Sequence, residues 1–214
     1  IIKLEPKYKF DQNYKMPVAG VDEVGRGPLA GPVVSAAIIL NKEAIPEGIN
    51  DSKKISKNKR IQINKELVAN HKYAIGIATV EEIDKINILQ ATLLAMKRAV
   101  LGLSIIPKST LIDGNKLPQL SYKMYPIIKG DNKSLSIAAA SIIAKVYRDK
   151  IMEELSVKYP GYFWEKNSGY GTKQHLLALD KLGITPIHRK SFAPNIQYVE
   201  LRKSYNLLSL LSYD

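Results

Sequence analysis

The sequence predicts a mixed α/β fold, with a central sheet flanked by helices and a small helical segment at the C-terminal end. Two short apolar runs of β-branched and small residues, 18–21 and 31–40, enclose a glycine-rich loop. Further extended segments alternate with helical patterns that carry their own capping residues. A chain of 214 residues with 45% hydrophobic content can also bury one full core.

Each element has a local reason. Residues 18–21 and 31–40 form two buried strands joined by the glycine-rich loop. Ser56 caps a helix running to about Ala69, with Ile61, Ile63, Leu67 and Val68 on or near one face. Residues 73–79 return as a strand with Ile75 and Ile77 in alternation. Asn87 starts a longer helix whose apolar stripe is Leu89, Leu93, Leu94, Met96, Val100 and Leu101, closed by Gly102. Extended segments follow at 110–112 and 122–128. Ser134 then opens a helix to about Lys158, apolar on nearly all sides from Ile137 to Ala144 and therefore central. Thr172 caps a helix through Leu182, closed by Gly183, and a weaker stripe of Leu207, Leu208, Leu210 and Leu211 follows Pro194. The stretch 159–171 holds Pro160, three glycines and three tyrosines. It separates a main body at 18–158 from a C-terminal helical segment at 159–214, with 1–17 as an N-terminal extension.

The balance of 32 Lys+Arg against 20 Asp+Glu, a net charge of +12, favours a polyanionic partner such as nucleic acid or an anionic membrane surface. Lysine supplies 26 of those 32 cations, in a chain also rich in Ile and Asn, a bias that coding composition explains as well. With no cysteine, disulfides, thiolate zinc sites and thiol catalysis are all excluded, so any metal must use oxygen or imidazole ligands. The expected compartment is the reducing cytoplasm. No signal-like segment opens the chain, and no run of about 18 apolar residues marks a membrane span.

Against this basic background stands an acidic pair, Asp22-Glu23, at the mouth of the loop Gly25-Arg26-Gly27-Pro28-Leu29-Ala30-Gly31-Pro32. Asp113 closes a strand before Gly114, and Asp131 lies three residues before the buried helix begins. Strand ends and helix starts converge on one edge of an α/β sheet, so the four carboxylates can meet in space. Like charges that cluster need a cation, and oxygen ligands without His or Cys select Mg²⁺ or Mn²⁺; four of them can hold two ions. Such a site suits metal-dependent phosphodiester hydrolysis. Neighbouring strand residues point to opposite faces, so Glu23 is expected to leave regular strand geometry, past the strand end or at a bulge. Plainer readings stay open: Asp113-Gly114 suits an ordinary turn, and Asp131 suits the positive end of a helix. Asp149, 18 residues beyond Asp131, is expected to be a helix-surface charge pairing with Lys145 or Lys150. His71, His175 and His188 are too scattered along the chain to suggest a metal set.

The segments 19–34, 50–54, 112–114, 129–131, 138–149 and 168–175, in this order, resemble the type 2 ribonucleases H, the bacterial ribonuclease HII family. The resemblance spans roughly residues 18–195. It implies the ribonuclease H-like fold and a monomeric endonuclease. Its substrates would be the RNA strand of RNA/DNA hybrids and the 5′ side of single ribonucleotides embedded in duplex DNA, cut to leave 5′-phosphate and 3′-hydroxyl ends. It assigns Asp22, Glu23, Asp113 and Asp131 to a two-ion Mg²⁺ or Mn²⁺ site. Gly25, Arg26 and Gly27 become the sensor of the ribose 2′-hydroxyl, Ser52 and Lys53 phosphate contacts, and Tyr170 the residue stacking on the following sugar. The C-terminal segment would complete the substrate site.

Glycines let backbone groups approach a sugar closely, and Arg26 adds a fork for phosphate. The same glycines also suit a tight turn, Tyr170 an ordinary loop aromatic, and Asp51-Ser52-Lys53 a polar loop. The related type 3 enzymes carry an added N-terminal domain for which the residues before Val18 leave no room. A catalytically silent basic nucleic-acid-binding module is the alternative of a different class. For the tail 204–214 packing as an amphipathic helix is preferred over contact with a partner such as a sliding clamp, and no partner is assigned from it.

Overall fold

The computed structural model describes residues 6–199, and the apolar tail at 204–214 lies outside the described residues. A short helix α1 (Tyr8–Asp11) precedes strands β1 (Val18–Val24) and β2 (Val33–Ile39). Helix α2 (Lys57–Asn70), strand β3 (Lys72–Ala78) and helix α3 (Val80–Leu101) follow. Then come β4 (Ser109–Asp113), β5 (Met124–Ile127) and the long helix α4 (Leu135–Lys158), with α5 (Trp164–Asn167) and α6 (Lys173–Leu182) at the end. The strands form one sheet in the order β3-β2-β1-β4-β5, antiparallel on the β3-β2-β1 side and parallel from β1 through β5.

Alternation along the strands divides the core into two layers. Ala36 and Ile38 face α2 and α4, packing with Ile63, Leu67, Ala139 and Ile142. Val21, Ala37 and Ile112 face the other way, onto Met96, Ala99 and Val100 of α3. The run Ile137–Ala144 is buried throughout, as its unbroken apolar character predicts. Two glycines set how closely the layers approach. A Cβ on Gly20 would lie 2.1 Å from the backbone of Ser136 in α4, and one on Gly76 would lie 1.9 Å from the carbonyl oxygen of Ala95 in α3.

The expected caps are present: Ser56, Ser134 and Thr172 each accept a hydrogen bond from the backbone amide three residues on. Helix α3 departs from expectation in two ways. It begins at a Thr79–Glu82 capping box, seven residues before Asn87, and Asn87 (φ 68°, ψ 166°) is a kink whose side chain caps the second part through the amides of Leu89 and Gln90. Its buried face consists largely of Ala91, Ala95, Ala99 and Met96, while Leu101 is exposed. The sheet approaches too closely there, at Gly76, for a leucine stripe. The N-terminal residues are tied to the body: Asp11 is buried and accepts bonds from the Ser134 hydroxyl (2.5 Å) and the Ser136 amide (2.9 Å) at the start of α4. Among the described residues no helix is long and apolar enough to cross a membrane.

Gly20→Ala should lower stability by about 1–3 kcal/mol, the usual cost of overpacking, and depress the melting temperature by at least roughly 3 °C. Thermal unfolding measures it; an unchanged melting temperature would mean that α4 does not press on β1 at this point.

Candidate metal centre and nucleic-acid interface

Parallel strands β1, β4 and β5 end at the same edge of the sheet, and this edge gathers the acidic residues. Asp22 and Glu23 come from the last three residues of β1, Asp113 from the end of β4, and Asp131 from the 3₁₀ turn Gly130–Asn132 after β5. One carboxylate oxygen from each of Asp22, Glu23 and Asp113 lies within 4.8 Å of the others. Asp131 stays outside this trio; its Oδ1 accepts a bond from Asn132 Nδ2 at 2.6 Å, and its charge acts on both Asp22 and Asp113.

Glu23 corrects the sequence-based expectation. It neither leaves the strand nor sits at a bulge: β1 runs through Val24, with Asp22 opposite Ala36 and Glu23 opposite Ser35 in regular register. The two side chains therefore start on opposite faces, and Glu23 shares a cleft of about 100 Å³ with Leu89, Thr92 and Met96 of α3. They can meet because the β1–β4 pairing stops at Val21–Ile112. Beyond that point β1 has no strand neighbour on this side, and carboxylate tips from both faces reach the same space around its open edge.

The convergence is electrostatically costly. Burial, followed by the charges of Glu23, Asp113 and Asp131, pushes the Asp22 carboxyl well above the ordinary range. Burial also raises Glu23, partly offset by Arg26, whose Nη1 lies 3.4 Å from Glu23 Oε1. Asp113 is raised by burial and held back by the Gly130 amide, which donates to its Oδ1 at 2.6 Å. Glu23 Oε2 is buried with no hydrogen-bond partner. A cluster of oxygen ligands with an unpartnered buried oxygen is a set that a hard divalent cation would satisfy.

The glycine loop and Tyr170 are neighbours. Gly27 faces the Tyr170 ring, from which a Cβ at that position would be 3.5 Å. The amides of Leu29 and Ala30 both donate to the Gly169 carbonyl. Gly25 has φ +95°, and a Cβ there would stand 2.2 Å from Arg148 Nε, so only glycine fits. Ser52 and Lys53 are positioned differently from a surface phosphate clamp. Ser52 is buried and its hydroxyl accepts from Ser141 at 2.8 Å, while Lys53 is exposed, its backbone amide held by Asp51. The lysine that touches the Asp131 turn is the next one, Lys54, through Asn132. Asp149 pairs with Lys145 at 2.6 Å, as expected.

Two groups carried no signal in the sequence. Arg148 and Arg189 are completely buried. Arg148 donates to the carbonyls of Ala30, Pro32 and Ser168, and Arg189 to those of Gly25, Arg26 and Gly31. Burial draws the Arg148 guanidinium down to about 10; burial and Arg148 together draw Arg189 to about 9, so both remain charged at neutral pH.

The second group is His175 and His188, distant in sequence but 3.1 Å apart between their Nε2 atoms. Trp164 Nε1 donates to His175 Nε2, so that nitrogen is an acceptor and His175 Nδ1 carries the proton it gives to the Tyr170 carbonyl at 2.9 Å. His188 Nε2–H then points at the same acceptor, leaving its Nδ1 to receive the Thr185 amide. Burial and His175 push His188 down to about 3, and burial lowers His175 as well.

Both histidines are thus neutral when folded, whereas in the unfolded chain they titrate near 6.5. Their contribution to stability is complete above about pH 6.5 and is lost as pH falls from there, for His188 down toward 3 by up to about 1.4 kcal/mol per pH unit, with His175 acting in the same direction. Melting temperature followed from pH 7 to 4 should show the fall, and His188→Gln should make it shallower; parallel curves would exclude His188 as its source. The acidic trio acts separately. With chelator present, Asp113→Asn should melt higher than wild type, by roughly 2–4 °C for each kcal/mol of repulsion removed, and scanning fluorimetry with and without Mn²⁺ reads it. A lower melting temperature in the metal-free variant would show that the repulsion is not the dominant effect there.

A family model described as Ribonuclease HII matches residues 19–195. A ribonuclease HII from Ruegeria pomeroyi is 56% identical over 176 residues, 82% of this chain and 75% of that protein. One from Rhizorhabdus wittichii is 50% identical over 193 residues, 90% of this chain and 96% of that protein. The crystal structure of the ribonuclease H2 from Pyrococcus horikoshii superposes with a TM-score of 0.72 at 27% identity, covering 87% of this chain and 98% of that one. With this extent of match on a ribonuclease H-like sheet, the chain belongs to the ribonuclease HII family.

Proposed function

We propose that this protein hydrolyses the RNA strand of RNA/DNA hybrids and nicks duplex DNA on the 5′ side of single embedded ribonucleotides, leaving 5′-phosphate and 3′-hydroxyl ends. The observation that carries this reading is the meeting of Asp22, Glu23 and Asp113 at the open edge of β1, beside a glycine loop packed on Tyr170. In this proposal Asp22, Glu23, Asp113 and Asp131 hold two Mg²⁺ or Mn²⁺ ions. The orphaned Glu23 Oε2 and the raised carboxyls support a cation there. Ions so held supply activation of the attacking water and stabilisation of the leaving oxygen.

The remaining work falls to the chain. Arg26, exposed and 3.4 Å from Glu23, is available to a phosphate beside the carboxylates. Gly25, Arg26 and Gly27 present backbone to the ribose, where only the 2′-hydroxyl distinguishes RNA from DNA. Tyr170, 45% exposed beside Gly27, offers a face for the next sugar. Lys53 draws the backbone phosphates and Ser52 shapes the loop beneath it, within a field set by the net charge of +12. The segment after residue 158 completes the substrate site by supplying Tyr170, and the protein acts as a monomer in the cytoplasm. A silent binding module is disfavoured, because gathering three partly buried carboxylates would cost it stability and weaken its hold on phosphate.

Duplex DNA with one ribonucleotide should be nicked by the wild type with Mg²⁺ or Mn²⁺ and left intact with chelator. Asp113→Asn should lower the rate at least about 100-fold, on the order of 2.7 kcal/mol of transition-state stabilisation. A wild type that binds this duplex without nicking it favours the silent module, and an unimpaired Asp113→Asn rejects the role given to Asp113.

A further inference from the structure

Arg148 and Arg189 are unusual buried charges. Among the described residues neither forms an ion pair, and all their partners are backbone carbonyls. Five of those carbonyls belong to one loop: Gly25 and Arg26 at its start, and Ala30, Gly31 and Pro32 at its end. The sixth, Ser168, belongs to the segment that carries Tyr170. A guanidinium presents its N–H groups in a fixed planar fork, so carbonyls that meet it are held in direction as well as position.

In a trans peptide the C=O of one residue and the N–H of the next point opposite ways. With the Gly25 and Arg26 carbonyls turned inward to Arg189, the amides of Arg26 and Gly27 must point outward. Both residues are exposed, and among the described residues neither amide has a hydrogen-bond acceptor. Two adjacent outward donors thus stand between Glu23 and Tyr170, with Arg148 joining their loop to the Tyr170 segment.

Building on the function proposed above, we infer that Arg148 and Arg189 are positioning residues for ribonucleotide recognition. By seizing the loop carbonyls from behind, they present the Arg26 and Gly27 amides as a preset donor pair to an oxygen of the ribonucleotide, its 2′-hydroxyl or the adjoining phosphate. Lysine in their place keeps the charge but cannot span three carbonyls.

The test uses Arg189→Lys and Arg148→Lys, each first shown to be folded at the assay temperature. On duplex DNA with one ribonucleotide, kcat/KM should fall at least about tenfold. Binding of the all-DNA duplex and Mn²⁺ binding by calorimetry should stay within about twofold of wild type. A folded variant that retains wild-type kcat/KM, or that loses both duplexes equally, overturns the inference. Hydrogen exchange on the wild type decides independently if a lysine variant does not fold. The Arg26 and Gly27 amides should exchange rapidly in the free protein and become protected by the ribonucleotide duplex but not by its all-DNA counterpart. Absence of that selective protection overturns the inference. Selective protection in a wild type that does not nick would support it and remove the hydrolysis reading instead.

Discussion

The constraint on which this structure depends is the holding of three carboxylates within 4.8 Å of one another in a partly buried place. Like charges so close and so poorly hydrated raise one another's affinity for protons and push the chain apart. Only a rigid frame keeps them together. Here that frame is the centre of the sheet: β1 is paired to β2 from Ala19 through Val24 and covered by α4 on one face and α3 on the other. The two glycines at which the helices touch the sheet belong to the same requirement. Gly20, two residues before Asp22 on the same face, brings the start of α4 onto β1, and with it the Gly130 turn whose amide steadies Asp113.

Behind the acidic trio lies a second, opposite concentration of charge. The loop 25–32 is bordered by carboxylates at its opening and by two guanidinium groups underneath. Its glycines serve this arrangement differently. Gly25 leaves room for Arg148 and Gly31 accommodates Met152 Sδ where a Cβ would be 2.3 Å away, while Gly27 lies beside the Tyr170 ring at a distance that a Cβ would also tolerate. Flexibility is therefore not what these glycines provide, because the folded loop is held from both ends by hydrogen bonds to its carbonyls. The His175–His188–Trp164 network extends the same logic to the other side, fixing the Tyr170 carbonyl through a neutral imidazole.

What the sequence revealed and what it hid follow from the range of the interactions. Caps at Ser56, Ser134 and Thr172, the strand before Asp113 and the buried core of α4 depend on residues within a turn of each other, and all were legible. Asn87 was legible as a helix start because its side chain acts on amides two and three residues away; the seven-residue piece before it carries Val80, Ile83 and Ile86 at helical spacing behind the Thr79–Glu82 capping box, but Thr79 also suits the end of the preceding strand, which hides its role as a cap. Arg148 looked like one more charge on a long helix. Nothing local distinguishes it from Lys145 or Lys150, since its partners lie 20 to 118 residues away. The histidines were hidden in the same way, 13 residues apart in sequence and joined only by the packing of α6 against the segment that follows it. Lys54 likewise reaches the Asp131 turn across 78 residues, a contact no spacing rule could favour over Lys53.

The geometry of Asp22 and Glu23 shows how a local rule can hold while its apparent consequence fails. Adjacent strand residues do point to opposite faces, and here they do so in regular register. The step from that fact to separated carboxylates assumes a sheet that continues on both sides. It does not continue beside Glu23, because β4 ends at Asp113 and Gly114, at φ +93°, turns the chain away. No atom would clash with a side chain at Gly114, so the glycine is required by its backbone angle alone. The two sequence readings of Asp113-Gly114, an ordinary turn or a carboxylate at a strand end, are thus one arrangement. The turn opens the edge of β1 to side chains from both faces, and Asp113 is the last residue before it.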